Sequence, residues 1–258
     1  MRILYAFIGL VLLMLYLYYL LYQYPIQSQA RNTWIKTISQ TGPVKEALKT
    51  DYLAETLGLS SDKPTPTTKI DCKEAESLLL LSPLITKVNV LQKNPSSLYI
   101  DYTVRSPYVT LCDYENIAID KEGVPFPIQP FYSPKKLIAL YLGPIAFHEN
   151  KIIWNAPLQG NYINLAFEVL SFLEIWAEGF FPCISRLDVS HAYDSSLGTR
   201  EIILTIEPTP SIKHYIRLTP KDYQKELTRY KMLKEKMPEL KSAVFEMRVQ
   251  EQAIIQKL

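Results

Sequence analysis

The chain has 258 residues, of which 48% are hydrophobic, so it is long enough and apolar enough to form one large domain or two smaller ones. Its 28 basic and 26 acidic residues give a formal charge of +2, and this low net charge with the high apolar content excludes a disordered protein. The charges are spread along the chain, so there is no basic run for nucleic acid. Cys72, Cys112 and Cys183 stand far apart without CxxC spacing, which excludes a zinc knuckle and a thioredoxin motif and leaves one disulfide possible.

The amino-terminal segment carries no charged residue from Ile3 to Tyr22. At about 1.5 Å per residue, a helix over these roughly 20 residues would be about 30 Å long, the thickness of a bilayer core. Tyrosines crowd its carboxyl end, as in an interfacial aromatic belt. We therefore predict a transmembrane helix that contacts lipid through residues 3–22.

This helix would anchor the chain in a membrane as a single-pass protein. The anchor is residues 1–24, with almost no cytoplasmic tail, and a linker of residues 25–32 leads to an exported main body. The alternative is a cleaved signal peptide, because residues 28–30 have a small-x-small arrangement.

Residues 33–107 have the pattern of a small α/β module. A proline at position 43 suits a first helical turn, and Asp71 with Glu74 forms a capping box for a second helix. The predicted order is β-α-α-β-β, with strands over Thr33–Ser39, Thr86–Gln92 and Leu98–Arg105.

The clearest strand, Leu98 to Arg105, alternates apolar and polar residues and so has one buried face. Pro107 cannot donate to a sheet ladder and pushes Ser106 toward an extended conformation, which predicts a domain junction there. Beyond the junction, Asp120 to Gly123 is predicted as a tight turn in which the glycine supplies a positive φ.

Residues 108–258 are predicted to form a mixed β-sheet domain with flanking helices, so the fold class of the whole chain is α+β with a transmembrane helix. The proline-rich stretch Val124–Pro134 is predicted to be irregular. Apolar positions at Tyr223, Leu227, Tyr230 and Leu233 predict a late helix that packs on the core. The other predicted elements are strands near Val109–Leu111, Ile117–Ile119, Leu137–Leu142, Ser185–Ser190, Thr199–Ile206, His214–Leu218 and Ala243–Val249, and a helix from Asn161 to about Gly179.

Catalytic, metal and cofactor motifs are missing from the sequence. His148, His191 and His214 have no ligand or triad spacing, and there is neither GxxxxGK[ST] nor GxGxxG for a nucleotide. Ser190 beside His191 is the alternative of a membrane-anchored periplasmic hydrolase, but the nucleophile-elbow glycines are absent. The prediction is a non-enzymatic protein without a cofactor or metal.

The last strand, Ala243 to Val249, places Phe245, Met247 and Val249 on one face and Glu246, Arg248 and Gln250 on the other. Only eight residues follow Gln250, which leaves little chain to cover this strand. An open edge offers unpaired backbone groups to which a partner can add a strand, although its charges can also be ordinary solvated ones.

One passage carries a family resemblance. An apolar strand that closes on Arg-Ser-Pro at residues 105–107, followed by Ile-Asp-x-x-Gly-x-x-Phe at residues 119–126, resembles the FtsQ/DivIB family of bacterial cell-division proteins. Residues 33–107 resemble the POTRA module of that family, and residues 216–235 resemble the passage in which a helix folds back over the sheet. The FEMR tetrapeptide of residues 245–248 resembles the terminal strand motif.

The resemblance implies a non-enzymatic, bitopic scaffold of the divisome that acts in septum formation at the division site. It would be a single-pass protein of the bacterial inner membrane with a periplasmic or extracytoplasmic main body. Its partners would be FtsB (DivIC)-like and FtsL-like proteins and other divisome membrane proteins. A valine at position 249 replaces an aromatic residue that is common in the family. The resemblance assigns strand addition at the carboxyl-terminal edge to Phe245, Met247, Arg248, Val249, Gln250 and Glu251. The alternative is a POTRA-bearing chaperone or transport component of the cell envelope.

Overall fold

The structure is a computed structural model that describes residues 10–19, 33–143, 153–176, 183–209 and 211–258. The chain divides into two compact units, residues 1–104 and residues 105–258. This boundary lies just before the predicted junction at Ser106 and Pro107. Each unit contains its own β-sheet.

The described residues contain no helix that is long and apolar enough to cross a membrane. In the amino-terminal segment, the described residues 10–19 are helical and form α1. Residues 3–9, residues 20–22 and the predicted linker lie outside the described part of the chain. The predicted transmembrane element of the fold class is therefore wrong, and so is the single-pass inner-membrane location, because a charge-free run meets only the composition requirement of a span.

The first unit has a three-stranded sheet in the order β1-β3-β2, with β1 parallel and β2 antiparallel to the central β3. The order along the chain is β-α-α-β-β, as the apolar patterns predict, with a 3-10 turn before the second helix. The elements are β1 (Thr37–Thr41), α2 (Thr50–Thr56), the 3-10 turn (Thr67–Lys69), α3 (Cys72–Leu80), β2 (Ile85–Asn94) and β3 (Ser97–Val104).

Local chemistry explains these elements. The backbone N–H of Lys73 donates to the Asp71 carboxylate at 2.9 Å, so Asp71 is the N-cap of α3. In β3, Leu98, Ile100 and Tyr102 are buried and face the helices, as the alternation predicts. Helix α2 begins later than the proline at position 43 predicts, because the Val44 side chain is fully exposed and gives a first turn no apolar contact.

The second unit is built on a nine-stranded sheet in the order β12-β11-β10-β9-β8-β7-β4-β5-β6. Its elements are β4 (Val109–Leu111), β5 (Ile117–Ile119), β6 (Pro125–Pro127), β7 (Ile138–Tyr141), α4 (Asn161–Trp176), β8 (Ile184–Asp188), β9 (Ile202–Thr209), β10 (Ile212–Leu218), α5 (Tyr223–Lys236), β11 (Ala243–Glu246) and β12 (Ile254–Lys257).

Two parallel crossovers place the helices on the sheet. Helix α4 connects β7 to the parallel β8, and α5 connects β10 to the parallel β11. Both helices share one apolar core with the strands, and the predicted stripe of Tyr223, Leu227 and Tyr230 is buried in it. The predicted end of α4 near Gly179 lies outside the described residues.

Two strands of this sheet differ from the sequence prediction. Strand β6 lies in the proline-rich stretch that is predicted to be irregular, and β12 lies in the last residues of the chain, for which no strand is predicted. Both are edge strands of the sheet. Proline is tolerated at a sheet edge because its missing N–H faces away from the ladder.

The two parts of the family-like passage meet at a buried ion pair. The Arg105 guanidinium donates to Asp120 Oδ2 at 2.7 Å, and Asp120 Oδ1 accepts the backbone N–H groups of Glu122 and Val124 at 3.1 and 2.8 Å. Gly123 has a φ of +82°, as the tight turn requires. This carboxylate therefore connects the start of the second unit to the turn between β5 and β6.

Replacement of Asp120 by alanine should lower the free energy of unfolding of the second unit by about 3 kcal/mol, because it leaves a largely buried guanidinium without its partner. Urea unfolding followed by circular dichroism measures the effect. The matched control is Lys121→Met, which removes an exposed ion pair with Glu174 and should cost less than about 1 kcal/mol. Equal losses in the two variants would contradict the structural role of Asp120.

Candidate functional site

The carboxyl-terminal edge of the nine-stranded sheet is formed by β12 and not by β11. The last residues fold back and pair antiparallel with β11, from Glu246 opposite Ile254 to Ala243 opposite Lys257. The prediction that residues 243–249 form an uncovered edge is therefore wrong. Strand β11 ends at Glu246, which leaves enough chain for a connection and one short strand.

Two of the predicted partner-binding residues are core residues. Phe245 is 1% exposed and Met247 is fully buried. The Phe245 ring packs against the rings of Tyr230 and His214, at centroid distances of 5.0 and 5.1 Å. These side chains hold β11 against α5 and are not accessible to a partner in this structure.

Arg248, the third predicted residue, belongs to an ion-pair network on the opposite face of the sheet. Its Nε and Nη2 atoms donate to the two carboxylate oxygens of Glu246, both at 2.7 Å. Arg217 on β10 contacts Glu246 at 3.1 Å and Glu201 at 2.6 Å, and Arg248 closes the ring with Glu201 at 3.4 Å. Four charges of alternating sign therefore join the chain before β9 to β10 and β11.

The electrostatics of the network agree with its geometry. Partial burial by itself raises the pKa of Glu246, but the hydrogen bonds from Arg248 outweigh it and hold the pKa below the usual value. The Arg248 side chain is only 18% exposed. Its guanidinium is thus engaged within the unit rather than presented to solvent.

Loss of the Arg248 guanidinium should lower the free energy of unfolding of the second unit. Arg248→Met is expected to lower the free energy of unfolding by about 2 kcal/mol, because it removes a bidentate, charge-assisted pair. A double-mutant cycle with Glu246→Gln, measured by urea unfolding, should give a coupling of about 1 kcal/mol or more. A coupling near zero would mean that the pair contributes nothing.

The other predicted residues, Val249, Gln250 and Glu251, lie in the connection between β11 and β12. Glu251 has a φ of +56°, in the left-handed region that residues other than glycine seldom occupy. The sequence analysis missed Arg229 on α5, whose guanidinium donates to backbone carbonyls of this connection. Its position in the sequence, beside the apolar stripe of α5, gave no signal of that contact.

The hydrogen-bond pattern of β12 determines which of its backbone groups point outward. Leu258 N–H donates to Ser242 O at 3.1 Å across the antiparallel pair. Every second residue before Leu258, namely Gln256 and Ile254, therefore points its backbone groups toward β11. The N–H and C=O groups of Ile255 and Lys257 point away from the sheet, and β12 is the last strand of the order.

The opposite edge of the sheet is different. Ile128 N–H donates to Asn116 O at 3.2 Å, so Phe126 points its backbone groups toward β5 and its two neighbours face outward. Those neighbours are Pro125 and Pro127, which have no N–H to donate. The β6 edge is blocked by its sequence, whereas the β12 edge has two outward donors that have no acceptor in the described part of the chain.

Beneath the β12 edge, the fully buried His214 on β10 hydrogen-bonds to Tyr230 on α5, with 2.7 Å between Nδ1 and the hydroxyl. Burial, with the nearby charge of Lys234, lowers the pKa of His214. Burial also raises the pKa of Tyr230, so both groups are neutral near pH 7. The ring contacts link β10, β11 and α5.

Acid should weaken the second unit through His214. Because the pKa of His214 is lowered in the folded state, the unfolded chain binds more protons than the folded chain below the ordinary histidine pKa of about 6.5. The free energy of unfolding therefore decreases as the pH is lowered through that range. Urea unfolding should show a loss of up to about 1 kcal/mol between pH 6.5 and 5.5. Glu226, whose pKa burial raises, acts in the opposite direction.

The paired variant His214→Phe with Tyr230→Phe removes both hydrogen-bonding groups and should lose this part of the pH dependence. Replacement of the exposed His191 by glutamine is the control and should keep it. An unchanged pH dependence in the paired variant would exclude His214 as its source.

The other chemical candidates do not assemble in the described residues. The Ser190 hydroxyl donates to Asp188 Oδ1 at 2.6 Å, and His191 Nδ1 lies 3.0 Å from Asp194 Oδ2, so serine and histidine form no pair with each other. No group of three histidine, cysteine or acidic side chains there could hold a metal ion, and all three cysteines are free. His148 lies outside the described residues.

These features define a mixed α/β protein of two units, the larger of which has a nine-stranded sheet that ends on β12. No protein-family model matches the chain, and no curated protein is significantly similar to it.

Proposed function

We propose that the chain is a non-enzymatic scaffold of the FtsQ/DivIB type, which binds FtsB (DivIC)-like and FtsL-like division proteins by strand addition at β12. The observation that carries this proposal is the asymmetry between the two sheet edges. One edge ends on Pro125 and Pro127, and the other presents the outward N–H groups of Ile255 and Lys257. A partner strand therefore has one edge of this sheet on which it can form a full ladder.

The residues that carry the family resemblance support the same assignment in a structural role. Arg105, Asp120 and Gly123 meet in one buried arrangement, and the Tyr132 hydroxyl donates to Arg105 O at 2.9 Å. Phe245 and Met247 of the FEMR tetrapeptide are core residues, and Arg248 is in the ion-pair network. The motif therefore specifies the sheet that bears the edge, while backbone groups of β12 do the binding.

The side chains of β12 indicate what kind of segment fits. Ile255 packs against the core on the helix side, and Ile254 on the other face is 57% exposed. An added strand would lie beside both, so a segment with apolar residues on both faces would bury the most surface. Lys257 gives the far end of the edge a positive charge, which favours an acidic residue opposite it.

The first unit is proposed to contribute recruitment of the chain, including contacts with other divisome membrane proteins. Its β-α-α-β-β order is that of a POTRA module, which supports this part of the proposal.

Replacement of Ile255 by proline should abolish co-purification with the FtsB (DivIC)-like and FtsL-like proteins of the same bacterium. The substitution removes an outward donor but leaves the bonds between β11 and β12, so the unit should remain folded by circular dichroism. Ile255→Val retains the N–H and is the matched control, which should bind normally. Lys257→Pro removes the second outward donor and should also fail to bind. Full binding by both proline variants would exclude strand addition at β12.

A further inference from the structure

One side chain of α5 forms hydrogen bonds with the backbone of the connection between β11 and β12. The partly buried Arg229 of α5 donates through Nη2 to Met247 O at 2.7 Å and through Nη1 to Val249 O and Gln252 O at 3.1 and 3.2 Å. One guanidinium thus binds three carbonyls along the connection. A positive charge makes each such hydrogen bond stronger than one between neutral groups.

The connection runs from residue 247 to residue 253. Met247 is fully buried and Arg248 belongs to the ion-pair network, so the part with few other restraints begins at Val249. In that part the described backbone bond, Gln252 N–H to Val249 O, is long at 3.4 Å. Glu251 has a φ of +56°, which costs free energy for a residue other than glycine. Strand β12 itself has only four residues, and Ile254 within it is largely exposed. The ladder with β11 and the contact of Ile255 with the core hold β12, and Arg229 adds a restraint outside the ladder.

Register is the property that such a contact controls. A slip of β12 by one residue along β11 would exchange the two sets of backbone groups, turning those of Ile255 toward β11 and those of Gln256 outward. It would also move Ile255 from the core side to the other face. The three carbonyls bound by Arg229 set how far the chain travels before β12 begins, and thereby select one register.

We propose that Arg229 is a positioning residue for the β12 edge: it fixes the connection of residues 247–253 and so presents Ile255 and Lys257 to an incoming strand. This inference rests on the proposed function. The inference predicts the direction in which partner affinity changes when the guanidinium is lost. If the partner adds to β12, affinity falls. If the partner displaces β12 and pairs with β11, Arg229 opposes it, and loss of the guanidinium tightens binding.

The test uses the full chain in three variants. Arg229→Met retains most of the side-chain volume but cannot donate, and Arg229→Lys retains the charge with a single donor group. Lys231→Met is the matched control, because it makes the same charge change on an exposed residue of the same helix. The readouts are hydrogen exchange of the backbone amides and affinity for the co-produced FtsB (DivIC)-like and FtsL-like proteins.

Arg229→Met should exchange the amides of residues 250–257 at least about tenfold faster, with unchanged protection in β9 and β10, and should bind the partners about tenfold more weakly. Arg229→Lys should lie between Arg229→Met and the unaltered chain, and Lys231→Met should match the unaltered chain. Unchanged exchange, or affinity that is unchanged or higher, would overturn the role of Arg229. If the unaltered chain binds neither partner, the proposed function fails, and the exchange rates alone then decide whether Arg229 positions β12.

Discussion

Pairing of backbone groups is the constraint on which the second unit depends. Every strand inside a sheet satisfies its N–H and C=O groups on both sides, and the two edge strands leave one row of each unpaired. In this sheet the two rows have opposite chemistry, because the outward positions of β6 are prolines and those of β12 are Ile255 and Lys257. Of the two edges of this sheet, the β12 edge is the one with outward N–H donors.

The period of two along β11 divides the FEMR tetrapeptide between two tasks. Phe245 and Met247 face the helices and fill the core, while Glu246 and Arg248 face away and join the ion pairs with Arg217 and Glu201. A partly buried network of alternating charges ties β11 to its neighbours. Because Arg248 takes part in this network, its guanidinium is less available to solvent than that of an exposed arginine. The outer strand is β12, and its connection to β11 contacts Arg229 on α5.

Much of the fold follows from local patterns in the sequence. The alternation in Leu98–Arg105, the cap at Asp71, the positive φ at Gly123 and the buried stripe of α5 are all present in the structure, because each is determined by residues within a few positions of one another. Predictions from local patterns were wrong where the structure depends on the length of a helix or on contacts between residues far apart in the sequence. The apolar run at the amino terminus predicted a membrane span, but no described helix is long and apolar enough to be one.

At the candidate site, the local features follow from the sequence and the long-range contacts do not. The sequence by itself determined which residues of β11 share a face, since the side-chain period of a strand is a local property. Only the tertiary structure decided that β12 covers β11, that Arg248 is engaged in ion pairs and that Arg229 holds the connection. The Arg229 contact depends on the α5 crossover, which brings residues about 20 positions apart together, and the contact of Arg248 with Glu201 depends on the order of strands in the sheet. No periodicity in the chain records such contacts.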